Sequence, residues 1–346
     1  MGEITGRERI IKVLSGEKAD RLPVLCVNQT ATYEQMEQLN AHWPEAHYRA
    51  QEMARLASGA HFILGFDAVR VPFCQTVEAE ALGCKIKDGG RYNFPSPASC
   101  PYKPGDHPEI PSNYLERGRI RELIEAVKLL KEMTGEEALI IGGINGPYSI
   151  AGSLLGVTAL LRNSFRRPQL VTPFLEIGVS AGSLLAKELI KAGADVICIE
   201  DMMASLDLIS PKIYREVVFA YEKKLLAELQ TIPTIIHICG KLDDVIEDIA
   251  GLGVTMISVD PKVNAPKAIE KLKKFERFIP IIGGVDTANT LFSGNVNKIK
   301  EEVSKAIADG YHMIAPGCAI PPSTSVRALR AMVEQAEIHG ALEANP

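Results

Sequence analysis

The sequence lacks the features that mark several common classes of protein. It has no run of about 18 or more apolar residues, which a membrane-spanning helix would need. Residues 1–20 contain no apolar core of a secretory signal peptide. The net charge is −5 and the isoelectric point is near 5.9, so the basic excess typical of nucleic-acid-binding domains is absent too. These absences predict a protein with no membrane span and no nucleic-acid partner.

A disulfide framework is also missing. The seven cysteines are odd in number and scattered, at positions 26, 74, 84, 100, 198, 239 and 318. Such a distribution is typical of a reducing compartment, so we expect a cytoplasmic location. In that setting a cysteine paired with a histidine more often indicates a metal site or catalysis than a disulfide bridge.

Short apolar runs alternate with helical patterns along most of the chain. The runs of strand length begin at residues 23, 67, 138, 195, 234, 255, 279 and 311. Continuous apolar strands between helices indicate a parallel sheet that is covered on both faces. Eight such units predict an α/β fold, a (β/α)8 TIM barrel that forms a single domain over residues 1–346. A doubly wound open sheet is the alternative, but the glycine-rich loop that usually follows its first strand is missing here.

Helical patterns fill the segments between these strands. An N-terminal amphipathic helix is expected over residues 7–15, with Gly16 as its stop signal. The segment 76–112, after the second strand, is rich in glycine and proline, which predicts turns and short hairpins instead of a helix. We interpret it as an insertion over one end of the barrel. Further helices are predicted over residues 33–39, 47–58, 114–134, 153–165, 170–192, 211–229, 241–251, 264–274, 296–309 and 325–339.

A histidine and a cysteine lie two residues apart at the end of the fifth predicted strand. Side chains at i and i+2 point to the same face of a strand, so His237 and Cys239 project together. An imidazole beside a thiol forms half of a tetrahedral zinc site, and Cys318 after the eighth strand offers a second sulfur. Because the fifth and eighth strands are not neighbours, the loop through Pro316 and Gly317 must bring Cys318 across the barrel mouth. His237 and Cys239 could instead be ordinary buried residues.

The other polar residues at the strand ends should line the same rim, because TIM-barrel active sites lie at the carboxyl ends of the strands. For a fourth metal ligand, Asp260 is the favoured candidate and Glu200 the alternative. Either carboxylate could instead hold an arginine, or orient His237 through its other ring nitrogen. The full set of rim candidates is Asn28, Gln29, Asn145, Glu200, Asp201, Asp260 and Asp286.

Asn145 precedes Gly146 and Pro147, and this triplet has two interpretations. It could be a simple turn before a helix. Alternatively, the N-terminus of that helix could offer its N–H groups to an anionic ligand tail, such as a sulfonate. Asp201 and Asp286 are expected to cap helices or to face solvent.

The metal-ligand pattern resembles a known family. Cys318 lies in the motif Ala-Pro-Gly-Cys-Ala-Ile-Pro-Pro, residues 315–322. Together with the His-x-Cys pair, this motif resembles the methylcobamide:coenzyme M methyltransferases, a zinc-dependent branch of the uroporphyrinogen decarboxylase superfamily. The decarboxylases hold a tetra-acidic porphyrinogen with arginines just after the first strand, whereas residues 27–31 here contain no cation. The resemblance covers nearly the whole chain and includes residues 7–9, 20–23, 43–47, 65–70 and 283–286.

The resemblance implies a zinc-dependent methyl transfer. His237, Cys239 and Cys318 would bind Zn²⁺, and Asn145 and Glu200 would contribute to cofactor binding. The methyl donor would be a methylated corrinoid such as methylcobalamin, carried by a partner corrinoid protein, and the acceptor would be a small thiol, with coenzyme M the closest match. Two alternatives stay open. One is the same zinc site with a different acceptor, either another thiol or tetrahydrofolate, and the other is a non-catalytic corrinoid-binding accessory protein.

Overall fold

Parallel strands form the core of the computed structural model, which describes residues 4–344 and the side chains through residue 340. Seven strands make one sheet with the order β1-β4-β5-β6-β7-β8-β9, and β2 and β3 form a separate antiparallel pair. All neighbours in the large sheet are parallel, as predicted. The strands in the described residues are β1 (Ala68–Val71), β2 (Ile86–Lys87), β3 (Ser96–Pro97), β4 (Leu139–Asn145), β5 (Val196–Glu200), β6 (Thr234–Ile238), β7 (Met256–Val259), β8 (Ile281–Val285) and β9 (Met313–Pro316).

The first of the eight predicted strands, expected from residue 23, is reduced to a single parallel bridge between Val24 and Ile314. The Leu25 N–H donates to the Ile314 carbonyl at 3.0 Å, and the Asp67 N–H donates to the Val24 carbonyl at 2.8 Å. This short segment therefore joins β9 to the chain entering β1 and closes the sheet as a TIM barrel. It is not a regular strand because Pro23 has no N–H and because the Val24 N–H donates to the Asp67 carboxylate at 2.6 Å.

Helices surround the sheet, and most lie where the sequence predicts them. The predicted helix 153–165 is in fact part of two helices, α7 and α8, which are separated at Gly156, where φ is +83°. The predicted helix 211–229 contains a π-helical stretch, Tyr214–Val218. The α-helices of the described residues are α1 (Gly6–Leu14), α2 (Tyr33–Leu39), α3 (Glu45–Tyr48), α4 (Ala50–Phe62), α5 (Val77–Ala81), α6 (Ile120–Thr134), α7 (Pro147–Leu155), α8 (Val157–Arg166), α9 (Thr172–Ala192), α10 (Pro211–Ile213), α11 (Phe219–Ala227), α12 (Ile246–Gly251), α13 (Ala265–Leu272), α14 (Val296–Ala308) and α15 (Val326–Ala344).

The glycine- and proline-rich segment 76–112 contains the β2–β3 pair, as expected, but it begins with the helix α5, which the sequence interpretation excluded. The glycines and prolines begin only at Gly83, so nothing in residues 77–81 breaks a helix. The β2–β3 connection is anchored by two aromatic contacts, since Tyr92 packs edge-on against Tyr33 and Phe94 packs against Trp43. Whether the chain is one domain stays a prediction.

The barrel interior is divided into an apolar layer and a polar layer. Inward-facing aliphatic and sulfur-containing side chains from the strands pack into one buried cluster, to which Ile10 and Val13 of α1 belong. Helix α1 therefore closes one end of the barrel. The next inward positions towards the carboxyl ends of the strands are polar, at Arg70, Glu200 and His237. The barrel thus has one closed, apolar end and one polar end.

The closed end is held by a buried ionic network around Asp67. This carboxylate is 2% exposed and contacts Arg9 at 2.5 Å and Arg21 at 2.7 Å. Because it also accepts the Val24 N–H, Asp67 connects α1 with the segment that closes the barrel. None of the helices within residues 4–344 combines the length and apolar character needed to cross a membrane.

Replacing Asp67 with alanine is expected to destabilise the fold by about 3–5 kcal/mol, because Arg9 and Arg21 would lose their buried carboxylate partner and the Val24 N–H would lose its acceptor. Urea-induced unfolding measures this change. The control Glu125→Ala removes a carboxylate whose ion pair with Lys128 is half exposed, and should cost no more than about 1 kcal/mol. Equal effects of the two substitutions would contradict a structural role for the Asp67 network.

Candidate metal centre

A cavity of about 620 Å³ opens at the carboxyl ends of the barrel strands. Its wall includes Phe94 of the 76–112 segment and Met202 from the loop after β5. The polar groups in the wall come from the barrel rim and its loops, and include Asn28, Arg70, Gln75, Glu200, Cys239 and Cys318. The cavity therefore lies over the polar end of the barrel, where TIM-barrel active sites are found.

His237, Cys239 and Cys318 converge beside this cavity, with the two cysteines in its wall and His237 fully buried next to them. The His237 Nε2 atom lies 3.2 Å from the Cys239 sulfur, and the two sulfurs are 3.0 Å apart. One ligand atom from each of the three residues lies within 4.8 Å of the others, and this is the only such His/Cys/Asp/Glu group in the described residues. The predicted convergence of the three side chains is present in the structure.

The loop after β9 brings Cys318 to this position. The Gly317 N–H donates to the Val285 carbonyl at 2.9 Å, which continues the β8–β9 pairing past the end of β9. A side chain at Gly317 would collide with the ring of Pro261, so glycine permits the close approach of this loop to the segment after β7. Farther along, the Ile320 N–H donates to the Gln29 carbonyl at 3.0 Å. The loop is fixed on both sides of Cys318.

The orientation of His237 depends on Ser258, a residue that the sequence interpretation did not identify. Strands β6 and β7 place the two residues side by side, and His237 Nδ1 lies 2.9 Å from Ser258 Oγ in a buried hydrogen bond. This bond directs Nε2 towards the two sulfurs. The sequence feature that could have identified Ser258 is its hydroxyl group within the otherwise apolar strand β7, at the position that pairs with His237.

The two thiols interact strongly. Hydrogen bonding between them lowers the pKa of Cys318 to about 4 and raises the pKa of Cys239. A further hydrogen bond from His237 also lowers the pKa of Cys318. The direction of both shifts favours a thiolate at Cys318 that accepts a hydrogen bond from the Cys239 thiol. Two cysteines and one histidine form a donor set suited to Zn²⁺, which binds thiolate sulfur and neutral imidazole.

The two proposed carboxylate ligands have different surroundings. Glu200 forms a buried ion pair with Arg70 and accepts a hydrogen bond from Gln75. Three roles were considered for Glu200, and the one observed is the pairing with an arginine. Asp260 lies outside the three-residue group, although its charge contributes to the raised pKa of Cys239. The identity of a fourth ligand stays a prediction.

Arg70 was not recognised as a site residue from the sequence. It is 2% exposed and comes from the end of β1. A side chain at Gly143 of β4 would collide with its guanidinium group, so the glycine leaves space for the Arg70–Glu200 pair inside the barrel. A charged residue within a buried strand could have identified Arg70 as a site residue. Its partner Glu200 is 130 residues away in the sequence, so the pairing itself could not be predicted.

The N-terminus of α7 has no free N–H groups for the anion that the sequence interpretation considered. The Asp201 carboxylate accepts the Tyr148 N–H at 3.1 Å and the Ser149 N–H at 2.7 Å. Asn145 donates from both its backbone and its side chain to Glu78, each at 2.6 Å. Asp201 is thus a helix cap, as expected. Asn145 uses its backbone and side-chain donors within the protein. Its role in cofactor binding stays a prediction, without support from these contacts.

Comparison with known proteins agrees with the geometry. The model of the uroporphyrinogen decarboxylase (URO-D) family matches residues 5–339. The chain belongs to this family. Within it, the chain is 36% identical over 334 residues to the methylcobamide:CoM methyltransferase MtaA of Methanosarcina barkeri, an alignment that covers 96% of this chain and 98% of the relative.

Two further similarities place this URO-D family member beside the methyltransferases. MtbA, a methylcobamide:CoM methyltransferase of Methanosarcina acetivorans, is 36% identical over 340 residues, covering 97% of this chain and 99% of the relative. The solved structure of a methyltransferase from Methanosarcina mazei superimposes with a TM-score of 0.92 at 35% identity, covering 97% and 99% of the two chains. The family resemblance and the barrel fold predicted from the sequence are confirmed.

In metal-free protein, iodoacetamide should alkylate Cys318 at a rate that is nearly constant from pH 6 to 8. The lowered pKa keeps this sulfur as thiolate above about pH 5, whereas an ordinary thiol gains reactivity with each pH unit until about 8.5. Peptide mapping by mass spectrometry measures the rate at each cysteine.

The Cys239→Ala variant provides the matched control. It removes the hydrogen bond that contributes most to the lowered pKa of Cys318, so alkylation of Cys318 should become steeply dependent on pH. An identical pH profile in both proteins would show that the thiol pair does not share a proton.

Proposed function

We propose that this protein transfers a methyl group from a methylated corrinoid, carried by a separate corrinoid protein, to the thiol of coenzyme M. The observation that carries the proposal is the convergence of His237, Cys239 and Cys318, whose two cysteines line a cavity. Full-length similarity to methylcobamide:CoM methyltransferases supports the substrates. We further propose a cytoplasmic location, consistent with seven cysteines that are all free.

The donor set supports Zn²⁺ as the resident metal. His237, Cys239 and Cys318 would be its protein ligands, and three protein ligands are the number found in catalytic zinc sites that keep a position for substrate. Zn²⁺ bound there would hold the thiol of the acceptor as a thiolate. We favour Asp260 as an additional ligand when no substrate is present, because its charge reaches Cys239 whereas Glu200 is occupied by Arg70.

The residues of the chain prepare the site for this reaction. Ser258 fixes the imidazole of His237, and the loop from Gly317 to Ile320 fixes Cys318. The cavity wall, which includes Phe73, Phe94 and Met203, is mostly apolar and limits hydration of the reacting sulfur. In the proposed transfer the acceptor sulfur would form the new bond to the methyl carbon, and the corrinoid donor would leave with the electron pair of its broken cobalt–carbon bond.

A direct assay tests the reaction. Purified protein is mixed with free methylcobalamin and coenzyme M, and the corrinoid spectrum is followed for conversion to cobalt(I). Conversion that requires the thiol would support the proposal. No conversion with coenzyme M, but conversion with another thiol or with tetrahydrofolate, would assign a different acceptor. No conversion with any acceptor would favour a non-catalytic accessory protein.

The Cys318→Ala variant should lose bound zinc and turnover together, because it removes one of three ligand atoms. Elemental analysis and the methylcobalamin assay measure the two properties. Cys84→Ala is the control, since Cys84 is buried outside the cavity wall, where it hydrogen-bonds the Ser153 carbonyl. It should retain both metal and activity. An active, metal-free Cys318→Ala protein would refute the metal centre.

Ser258→Ala should weaken zinc binding by about 10- to 100-fold, the usual effect of removing a residue that orients a metal-bound histidine. The hydroxyl contacts His237 Nδ1 and none of the sulfurs, so the effect would act through imidazole orientation. Competition with a chromophoric chelator gives the affinity. Ser258→Thr keeps the hydroxyl and should restore most of it. Equal affinity in Ser258→Ala and wild type would show that this hydrogen bond does not position the ligand.

A further inference from the structure

Asn28 is a buried amide whose polar atoms have no partner in the protein. Its side chain is 1% exposed and borders the cavity. Neither Oδ1 nor Nδ2 has a hydrogen-bond partner among the described residues. A buried amide without partners costs free energy, typically about 1–3 kcal/mol, and such groups are rare in folded proteins. An unpaired amide in the wall of a cavity is therefore a candidate for ligand recognition.

The chain around Asn28 is firmly held, so the amide has a fixed place. The neighbouring Gln29 donates from Nε2 to the Ile320 carbonyl at 2.6 Å and to the Ala31 carbonyl at 2.9 Å. Its Oε1 accepts the Ala31 N–H at 2.7 Å. Ile320 is two residues beyond Cys318, so these bonds connect the Asn28 loop directly to the loop that carries one sulfur of the metal centre.

Arg70 provides a second unpaired donor in the same cavity. Its Nη1 and Nη2 atoms bond to the Pro72 carbonyl and to Glu200, but its Nε has no partner among the residues described. Glu200 balances the charge of Arg70 inside the barrel. The N–H groups at the N-terminus of α7 are already taken by Asp201. Within the described part of the cavity, Asn28 and Arg70 thus carry donors that are left for a ligand.

We propose that Asn28 recognises the anionic tail of the acceptor thiol, with Arg70 Nε as a supporting donor. The inference rests on the proposed function, since it concerns the substrate that is methylated at the neighbouring metal centre. The tail belongs to the class of compact oxyanions, sulfonate or carboxylate, which accept hydrogen bonds and carry negative charge. Asn28 turns Nδ2 towards the tail, because Oδ1 would repel it. A thiol without such a tail makes no use of Asn28.

The test compares acceptor thiols with and without the tail. In Asn28→Leu, the KM for coenzyme M should rise by about 10- to 100-fold, the usual effect of losing a hydrogen bond to a charged group. The KM for 1-propanethiol, which has no charged tail, should stay the same. Asn28→Asp presents only carboxylate oxygens and should raise the KM for coenzyme M further. An equal change for both thiols, or no change for either, would overturn the proposal.

Two measurements do not depend on turnover. Ethanesulfonate, the tail without its thiol, should bind metal-free wild-type protein in ligand-observed NMR and should not bind Asn28→Leu. The leucine variant should also melt at the same or a higher temperature than wild type, because it replaces an unpaired buried amide with an apolar group of similar size. A strongly lowered melting temperature would indicate a structural role for Asn28 and would overturn the inference.

A control variant and an alternative ligand for Asn28 complete the test. Asn163→Ala removes a buried amide that donates to the Ala159 carbonyl of its own helix, outside the cavity wall, and it should leave the ratio of the two thiol KM values unchanged. A raised KM for methylcobalamin in Asn28→Leu, with both thiol KM values unchanged, would assign Asn28 to the corrin amides and overturn the proposal. If wild type turns over no thiol, the proposed function fails, whereas ethanesulfonate binding still tests Asn28.

Discussion

The placement of His237 and Cys239 on one side of β6 is the constraint on which the rest of the site depends. Strand geometry allows only alternate residues to face the barrel interior, so Ile236 and Ile238 must pack outward against the helices, and both are buried there. A shift of one residue in the register with β7 would remove His237 from Ser258 and direct it into the apolar outer layer. The sheet register therefore determines the chemistry.

Polar groups can occupy the upper barrel only because nearly all of them are paired. Arg70 is paired with Glu200, His237 with Ser258, and the two cysteines with each other. Burial makes each unpaired group costly, which explains why the apolar layer beneath contains only aliphatic and sulfur-containing side chains. Against this background the amide of Asn28 and the Nε of Arg70 are exceptions, and exceptions of this kind are expected at functional sites.

The elements and the metal triplet could be predicted from sequence because their signals are local. The two-residue period of β6 places His237 and Cys239 together, and the count of apolar runs gives the barrel and hence the rim. The partners that complete the site are not local. Arg70 reaches Glu200 across 130 residues of chain, and Asp67 draws the Val24 N–H away from regular strand pairing. No periodicity in the sequence carries such contacts.

A contact that is distant in sequence also explains why an anion-binding site at the N-terminus of α7 could not be confirmed or excluded from the sequence. A helix N-terminus offers N–H groups to any anion, and sequence alone does not say whether the anion is a ligand or the protein itself. Here Asp201, at the end of a neighbouring strand, is fully buried against those groups. Because these N–H groups already have an acceptor, a ligand anion would gain no hydrogen bond at the N-terminus of α7. Recognition must then fall to donors that the fold leaves unpaired, which are those of Asn28 and Arg70 in the cavity wall.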